Sequence, residues 1–443
     1  MTFKDILLGI PFLLFIYGLA FVLKSSYTTS YTSKYYIPAL TLKVIGAIAL
    51  GLIFQFYYGY GGDTFHFYNN GMSVIAESFY EDPQAAIRLL FFKNEYHYSI
   101  SKYIPRIPMF YDTSTYFVVR IGGLFAILTG NTYTNTALCF AVFSFSGLWS
   151  LYSLIIKSLP NLHKQLAIAF FFFPSVFFWG SGLLKDTITL GSLAWLTYGL
   201  LNVIVFKEKI FTKSFYLLFI YLIIKIKIYI ILCFIPTAII WIFTQHSQRI
   251  KNKLLRQIVT PLVLVISIAG GILISTKLGE SSNRYSVDRV LITAEETARW
   301  LTTMGEHDQG SVYSLGDFDY SYTGIAKKAI PAIWVTLFRP YIFEANNVVM
   351  LLSALESLLF LLFTIYILYR HGILSTINTI RAQPFIAFCL IFSILFSFAI
   401  GISTYNFGTL VRYKIPMMPF YLMGLFCIDY FLCLKNNKKP FLQ

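Results

Sequence analysis

Long apolar runs separated by short polar and basic connections set the organisation of this chain. The runs Ile6–Val22, Pro38–Tyr58, Tyr116–Leu128, Thr134–Ile156, Leu166–Trp179, Ile188–Phe206, Phe215–Phe243, Thr260–Ser275, Val348–Tyr369, Pro384–Ile400 and Phe407–Phe431 contain few charges. A helix needs about 20 apolar residues to cross a bilayer, so these runs predict about eleven spans, the shorter ones non-ideal. Two intervals break the alternation, residues 59–115 and 277–344. Both are expected to lie outside the membrane and to carry short amphipathic helices, at Met72–Phe79, Pro83–Phe92 and Val287–Met304. Asp82 followed by Pro83 is a helix-start signal.

Some runs depart from an ordinary span. Leu166–Trp179 ends in Trp179-Gly180-Ser181-Gly182-Leu183-Leu184-Lys185-Asp186. Irregular backbone cannot face lipid, so this break is expected inside the protein. Phe215–Phe243 is too long for one untilted span and holds Lys225 and Lys227 at its centre. Either these lysines face a polar cavity, or the segment bends near Lys225–Tyr229 and brings them to an interface. Pro236 offers a second bend.

Composition fixes the class. Of 443 residues 57% are hydrophobic and only 12% charged, about half the charge of a soluble domain. The expected fold class is all-α, a polytopic transmembrane helical bundle forming a single integral membrane domain over residues 1–443. Ile6–Val22 reads as a retained first helix, since no small-residue cleavage pattern follows it. The six histidines are dispersed and the five cysteines form no CxxC, which gives neither a metal-ligand spacing nor a disulfide framework. The net charge of +15 comes from 35 basic and 20 acidic residues. The basic residues sit mainly in short connections, where they act as membrane anchors or neutralise anionic lipid phosphate. No nucleic-acid-binding pattern is present.

Four polar clusters stand out from the apolar background. The first follows the second span: Gly61-Gly62-Asp63 with His66, Tyr68 and Asn69. A carboxylate just outside a span can take a proton from an acceptor hydroxyl or hold a divalent ion beside a phosphate. The second is Lys185-Asp186, where the lysine can hold a phosphate that Asp186 helps to order. The third is Arg339-Pro340-Tyr341 with Glu344 and, deeper in the next span, Glu356. The arginine suits a phosphoryl group, and Glu356, costly in lipid, is expected to face the bundle interior, a pairing with Arg339, Lys225 or Lys227 being left open. The fourth is Arg412-Tyr413-Lys414 at the entrance of the last span.

The layout resembles the multi-spanning glycosyltransferases of the GT-C type, with an Asp in the first large external loop, amphipathic loop helices and about eleven spans. The Pro174-Ser175 … Trp179-Gly180-Ser181-Gly182 … Lys185-Asp186 turn is similar to membrane proteins of bacterial surface-polysaccharide synthesis, as are the Arg339-Pro340-Tyr341 and Arg412-Tyr413-Lys414 turns. The acidic pair expected in the first loop is absent, Asp63 being followed by Thr64. The resemblance implies a polyprenyl-phosphate-linked sugar donor, a glycan, lipid or protein acceptor, and a multi-pass location in the bacterial inner (plasma) membrane. It also implies Asp63 as base or as ligand of Mg2+ or Mn2+. Two alternatives stay open: an O-antigen-like polysaccharide polymerase or ligase using pyrophosphate-linked glycans, with Arg339 and Arg412 prominent, and a lipid-linked glycan transporter using Lys225, Lys227 and Glu356.

Overall fold

The computed structural model describes residues 2–59, 62–206, 215–247, 292, 294–300, 302–303, 312–316 and 319–442. The expected span Thr260–Ser275 and Gly61 lie outside the described residues, as does part of the expected helix Val287–Met304, whose described residues 292, 294–300 and 302–303 are helical. Among the described residues eight helices are long and apolar enough to cross a membrane, and the only β-pairing is an isolated bridge between Val312 and Asn406. The chain is therefore an all-α polytopic membrane protein. Its internal contacts divide it into two compact units, residues 1–163 with 170–228 and residues 164–169 with 229–443.

The first unit opens with α1 (Phe3–Tyr27). Thr2 and Asp5 form a reciprocal capping box at its start, which satisfies amide groups that a helix end leaves open. Asp5 also accepts the Thr134 backbone N–H at 2.9 Å, tying α1 to the N-terminus of α7 (Tyr133–Ser158). The helix α2 (Ser33–Leu52) continues into a π-helical turn, Ile53–Tyr57. Then follow α3 (Asp63–Phe67), a second π turn at Tyr68–Met72, α4 (Ser73–Glu81) and α5 (Pro83–Phe91). Asp82 caps α5 by accepting from the Gln84 and Ala85 backbone, as the Asp-Pro signal predicts.

After α6 (Thr113–Leu128) and α7 the chain folds into short pieces, α8 (His163–Ala167), a π turn Ile168–Phe172 and α9 (Pro174–Phe178). The turn after α9 leads into α10 (Lys185–Ile204). This broken stretch is largely buried, in line with the rule that irregular backbone at membrane depth is covered by protein. The helices α7 and α10 cross at backbone contact: a Cβ on Gly147 would run into the Gly191 carbonyl. Small residues at helix crossings allow this close van der Waals packing where no hydrophobic drive operates.

The long helix α11 (Tyr216–Ser247) is broken at Lys227, which has φ −147° and ψ 76°. This is the bend that the two central lysines suggested. Its first part, to Ile228, belongs to the first unit.

The second unit holds the rest of α11, α12 (Tyr322–Lys327), α13 (Ala329–Phe338), α14 (Val348–His371), α15 (Ile373–Ala382), α16 (Pro384–Ser403), α17 (Phe407–Tyr413) and α18 (Met418–Lys435). The most enclosed of these is α18, packed by α14, α15 and α16. Its Phe420 meets Phe388 and Phe392 edge-on, while Trp241 and Phe234 of α11 close on the same rings. Such aromatic pairs add roughly 0.5–1.5 kcal/mol each beyond the area they bury.

Candidate functional site

In the first unit four segments bring polar groups together around Lys185, the first residue of α10. Its ammonium donates to the Thr115 hydroxyl at 2.7 Å and to the Ser114 hydroxyl at 3.4 Å. Both hydroxyls belong to the first turn of α6, whose N-cap is Asp112. Asp112 accepts the Thr115 hydroxyl at 2.5 Å and the Ser114 and Thr115 backbone N–H groups at 3.1 and 3.3 Å. Burial pushes the Asp112 carboxyl up, but the Thr115 hydroxyl, the Lys185 charge and the two backbone donors outweigh it and hold the group below the usual carboxylate range.

Next to Lys185, Asp186 is fully enclosed and pairs with Lys227 at 2.5 Å. The break at Lys227 makes this pair possible, since it diverts the lysine from the regular helical path. At the same break the Ile226 carbonyl accepts the Ser114 hydroxyl at 2.8 Å. The charges acting on Lys185 are those of Asp112, Lys227, Asp63 and Asp186, so Asp63 belongs to this group electrostatically. Asp63 and Lys185 are each half-buried, and Asp112 is exposed.

Asp63 opens α3, and its position is fixed from both sides. Gly62 before it has φ +82°, and a Cβ there would run into the Phe54 ring; only glycine fits that path. After it, the Thr64 hydroxyl and the Tyr133 phenol lie 2.5 Å apart, and the Phe65 ring stacks on Tyr133 at 4.4 Å. The other candidates of this loop serve elsewhere. His66 is exposed and contacts Asn70 at 3.0 Å, and Tyr68 donates to Asn131 at 3.1 Å. Burial, with the charges of Asp5 and Glu77, pushes the Tyr68 phenol above its ordinary range, so it stays protonated and anchors the loop. Lys225 is exposed, with its ammonium 5.7 Å from the centre of the Tyr221 ring.

In the second unit a distinct polar knot forms between α13 and α14. The Arg339 guanidinium makes a bidentate pair with Glu344, with Nε at 3.1 Å. The Tyr341 backbone N–H donates to Glu344 at 2.8 Å, and Trp334 Nε1–H donates to the Tyr341 phenol at 2.7 Å. The Arg339–Pro340 peptide is cis. Lys414, buried, donates to the Ser357 hydroxyl at 2.9 Å and the Arg339 carbonyl at 3.3 Å. The buried Glu356 acts electrostatically on Lys414, a cation not weighed from the sequence. Arg412 is half-buried on α17. The Arg339, Tyr341, Glu344, Glu356 and Lys414 set is thus brought together, with its charges turned towards each other.

Two features went unread in the sequence. Lys43 lies fully buried in α2 and donates to Gly180 carbonyl at 2.7 Å, Val176 carbonyl at 3.1 Å and Ser144 hydroxyl at 3.2 Å. It holds the turn that delivers Lys185; a lone lysine inside an apolar run was its signal. Near the C-terminus His371, Asp429 and Cys433 place one donor atom each within 4.8 Å of one another, a cluster able to coordinate a metal ion.

The fold and this site define a polytopic helical membrane protein with a polar cluster of three acids, Asp63, Asp112 and Asp186, and two lysines, Lys185 and Lys227. No family model matches the chain, and no curated protein or solved structure matches it.

Proposed function

We propose that the protein is a membrane glycosyltransferase that moves a sugar from a polyprenyl phosphate to an acceptor hydroxyl at the face of the bacterial inner membrane. The observation that supports this reading is the half-buried Lys185, held by the Thr115 and Ser114 hydroxyls within a cluster that also contains the half-buried Asp63. Asp63 takes the proton of the acceptor hydroxyl as its oxygen attacks the anomeric carbon. The bond from that carbon to the phosphate oxygen breaks, and its electron pair leaves with the polyprenyl phosphate. Lys185, already oriented by Thr115 and Ser114, offsets the charge gathering on that leaving group. The Asp186–Lys227 pair behind it keeps α10 and the broken α11 in register.

Mg2+ and Mn2+ take sets of oxygen ligands. Among the described residues no group of three His, Cys, Asp or Glu donors gathers at Asp63, and Asp112 and Asp186 are engaged by hydroxyl, amide and ammonium donors. No step of the proposed transfer is routed through an ion, and its roles are assigned to Asp63 and Lys185. A polymerase would instead rely on Arg339 as a pyrophosphate clamp, but that side chain is held by Glu344 on two of its nitrogens.

The test compares donors on purified protein in lipid nanodiscs. Transfer from a polyprenyl-monophosphate sugar that persists in EDTA and falls at least about 100-fold in Lys185→Gln is expected. Chain growth from pyrophosphate-linked glycans alone, or movement of intact lipid-linked glycan without bond making, would overturn the reading in favour of polymerase or transporter respectively.

A further inference from the structure

We propose that His371, Asp429, Cys433 and the Lys439 carbonyl form a zinc site that fastens the C-terminal tail beneath α14 and α18. Asp429 and Cys433 stand one turn apart on α18 and so share a face; His371 is the last residue of α14 and closes on them. His371 Nε2 lies 2.8 Å from Asp429 Oδ1. Cys433 Sγ lies 3.6 Å from the same oxygen and 3.4 Å from the Lys439 carbonyl oxygen. Tetrahedral zinc, with bonds of about 2.0–2.3 Å, sets its donor atoms roughly 3.3–3.8 Å apart. The two Cys433 distances fall in that range, and the His371–Asp429 distance needs to open by only about half an ångström to admit the ion.

The surroundings are those of a ligand set already oriented. Asp429 Oδ2 accepts the Phe441 backbone N–H at 2.6 Å. Arg370 donates to Asp429 Oδ1 at 3.1 Å and to the Lys439 carbonyl at 2.7 Å. Hydrogen bonds of this kind fix metal-ligating carboxylates and carbonyls. The side chains of His371 and Asp429 are 1% and 2% exposed, and Cys433 is buried, so solvent competes little for the ion. Thiolate and imidazole beside one carboxylate select zinc and not magnesium or manganese. The tail itself is seated: the Phe441 ring packs on Phe363 and Tyr366 at 5.3 and 5.5 Å, and the Phe441 carbonyl accepts Gln165 Nε2–H at 2.7 Å. A metal there is independent of the transfer chemistry assigned to Asp63.

The experiment measures zinc in full-length protein purified in detergent without chelator, followed by exchange to cobalt. About one zinc per chain is expected in the wild type and in Cys427→Ser, a control thiol on the same helix, with at least a tenfold loss in Cys433→Ser and His371→Ala. The cobalt form of the wild type should show a thiolate-to-metal charge-transfer band in the near ultraviolet, a readout that does not depend on any variant folding. Wild-type protein that takes up no zinc from a micromolar supply would overturn the proposal and leave Arg370 as the sole cation at Asp429. Zinc retained in Cys433→Ser, or a cobalt spectrum without the thiolate band, would overturn it equally.

Discussion

Lys225 and Lys227 differ by two positions, and at residue scale that spacing decides their fate. In a regular helix they point about 200° apart, and the break at Lys227 completes the separation: Lys227 meets Asp186 inside the protein while Lys225 remains exposed. The sequence announced that two lysines in an apolar run are costly, yet nothing in it distinguishes which one is buried. Removing one partner of a buried pair leaves a bare charge, which typically costs about 3–5 kcal/mol, whereas replacing both with apolar residues is often neutral. Lys227→Met should therefore lower the thermal midpoint sharply and Lys227→Met/Asp186→Leu should restore most of it, measured by tryptophan fluorescence in detergent.

Asp112 yields a pH prediction. Its folded-state carboxyl sits below the unfolded value, so its contribution is present above the ordinary carboxylate range and is lost as pH falls through the depressed value. The midpoint of the wild type should drop from about pH 4 downwards, and Asp112→Asn should flatten that part of the profile. The Asp112-Thr113-Ser114-Thr115 string has residue types that favour a helix cap. That its hydroxyls also hold Lys185, 70 residues further along, is a tertiary fact without a local trace.

At the scale of elements, the site depends on how helices begin and break. Lys43 binds two carbonyls from the end of α9 and its turn, groups that a helix C-terminus leaves without intrahelical donors. Lys43→Met keeps the length of the side chain and removes the donors. It should cost about 1–3 kcal/mol for each carbonyl left dry and should reduce activity through Lys185 placement, visible as a lower kcat with the protein still folded by circular dichroism. At Gly62 a side chain meets both a left-handed backbone, worth about 1–2 kcal/mol, and the Phe54 ring. Gly62→Ala should accordingly lower both stability and transfer, whereas Gly59→Ala, where φ is also positive but no atom lies within 4 Å, should show the backbone cost alone. Helix positions were legible because apolar runs and caps are local. The three π turns and the break in α11 were not, except as glycines, lysines and lengths that fit a straight span badly.

At the scale of the whole molecule, membrane class and an all-α architecture follow from composition alone, because a chain with so few charges and so many long apolar runs has no soluble solution. The runs Ile6–Val22, Val348–Tyr369 and Pro384–Ile400 fall inside helices of the expected kind. Leu166–Trp179, a span by hydropathy, is three short pieces packed within the protein, since hydropathy cannot separate a lipid-facing helix from buried irregular chain. Among the polar clusters, Lys185 and Asp63 were legible as residues, while the span count left open which side of the membrane Lys185 shares. Glu356 was legible as a buried acid, but Lys414 was not marked as its cation. Asp429 is likewise a lone acid within the last apolar run.

The proposed transfer depends on Asp63 as the group that activates the acceptor, and a single-turnover measurement reads that step directly. Wild-type protein in nanodiscs, loaded with a labelled polyprenyl-phosphate sugar and given acceptor, should transfer the label. Asp63→Asn should bind the donor with unchanged affinity and transfer it at least about 100-fold more slowly, the usual scale of losing a general base. Transfer at the wild-type rate by Asp63→Asn would contradict the account.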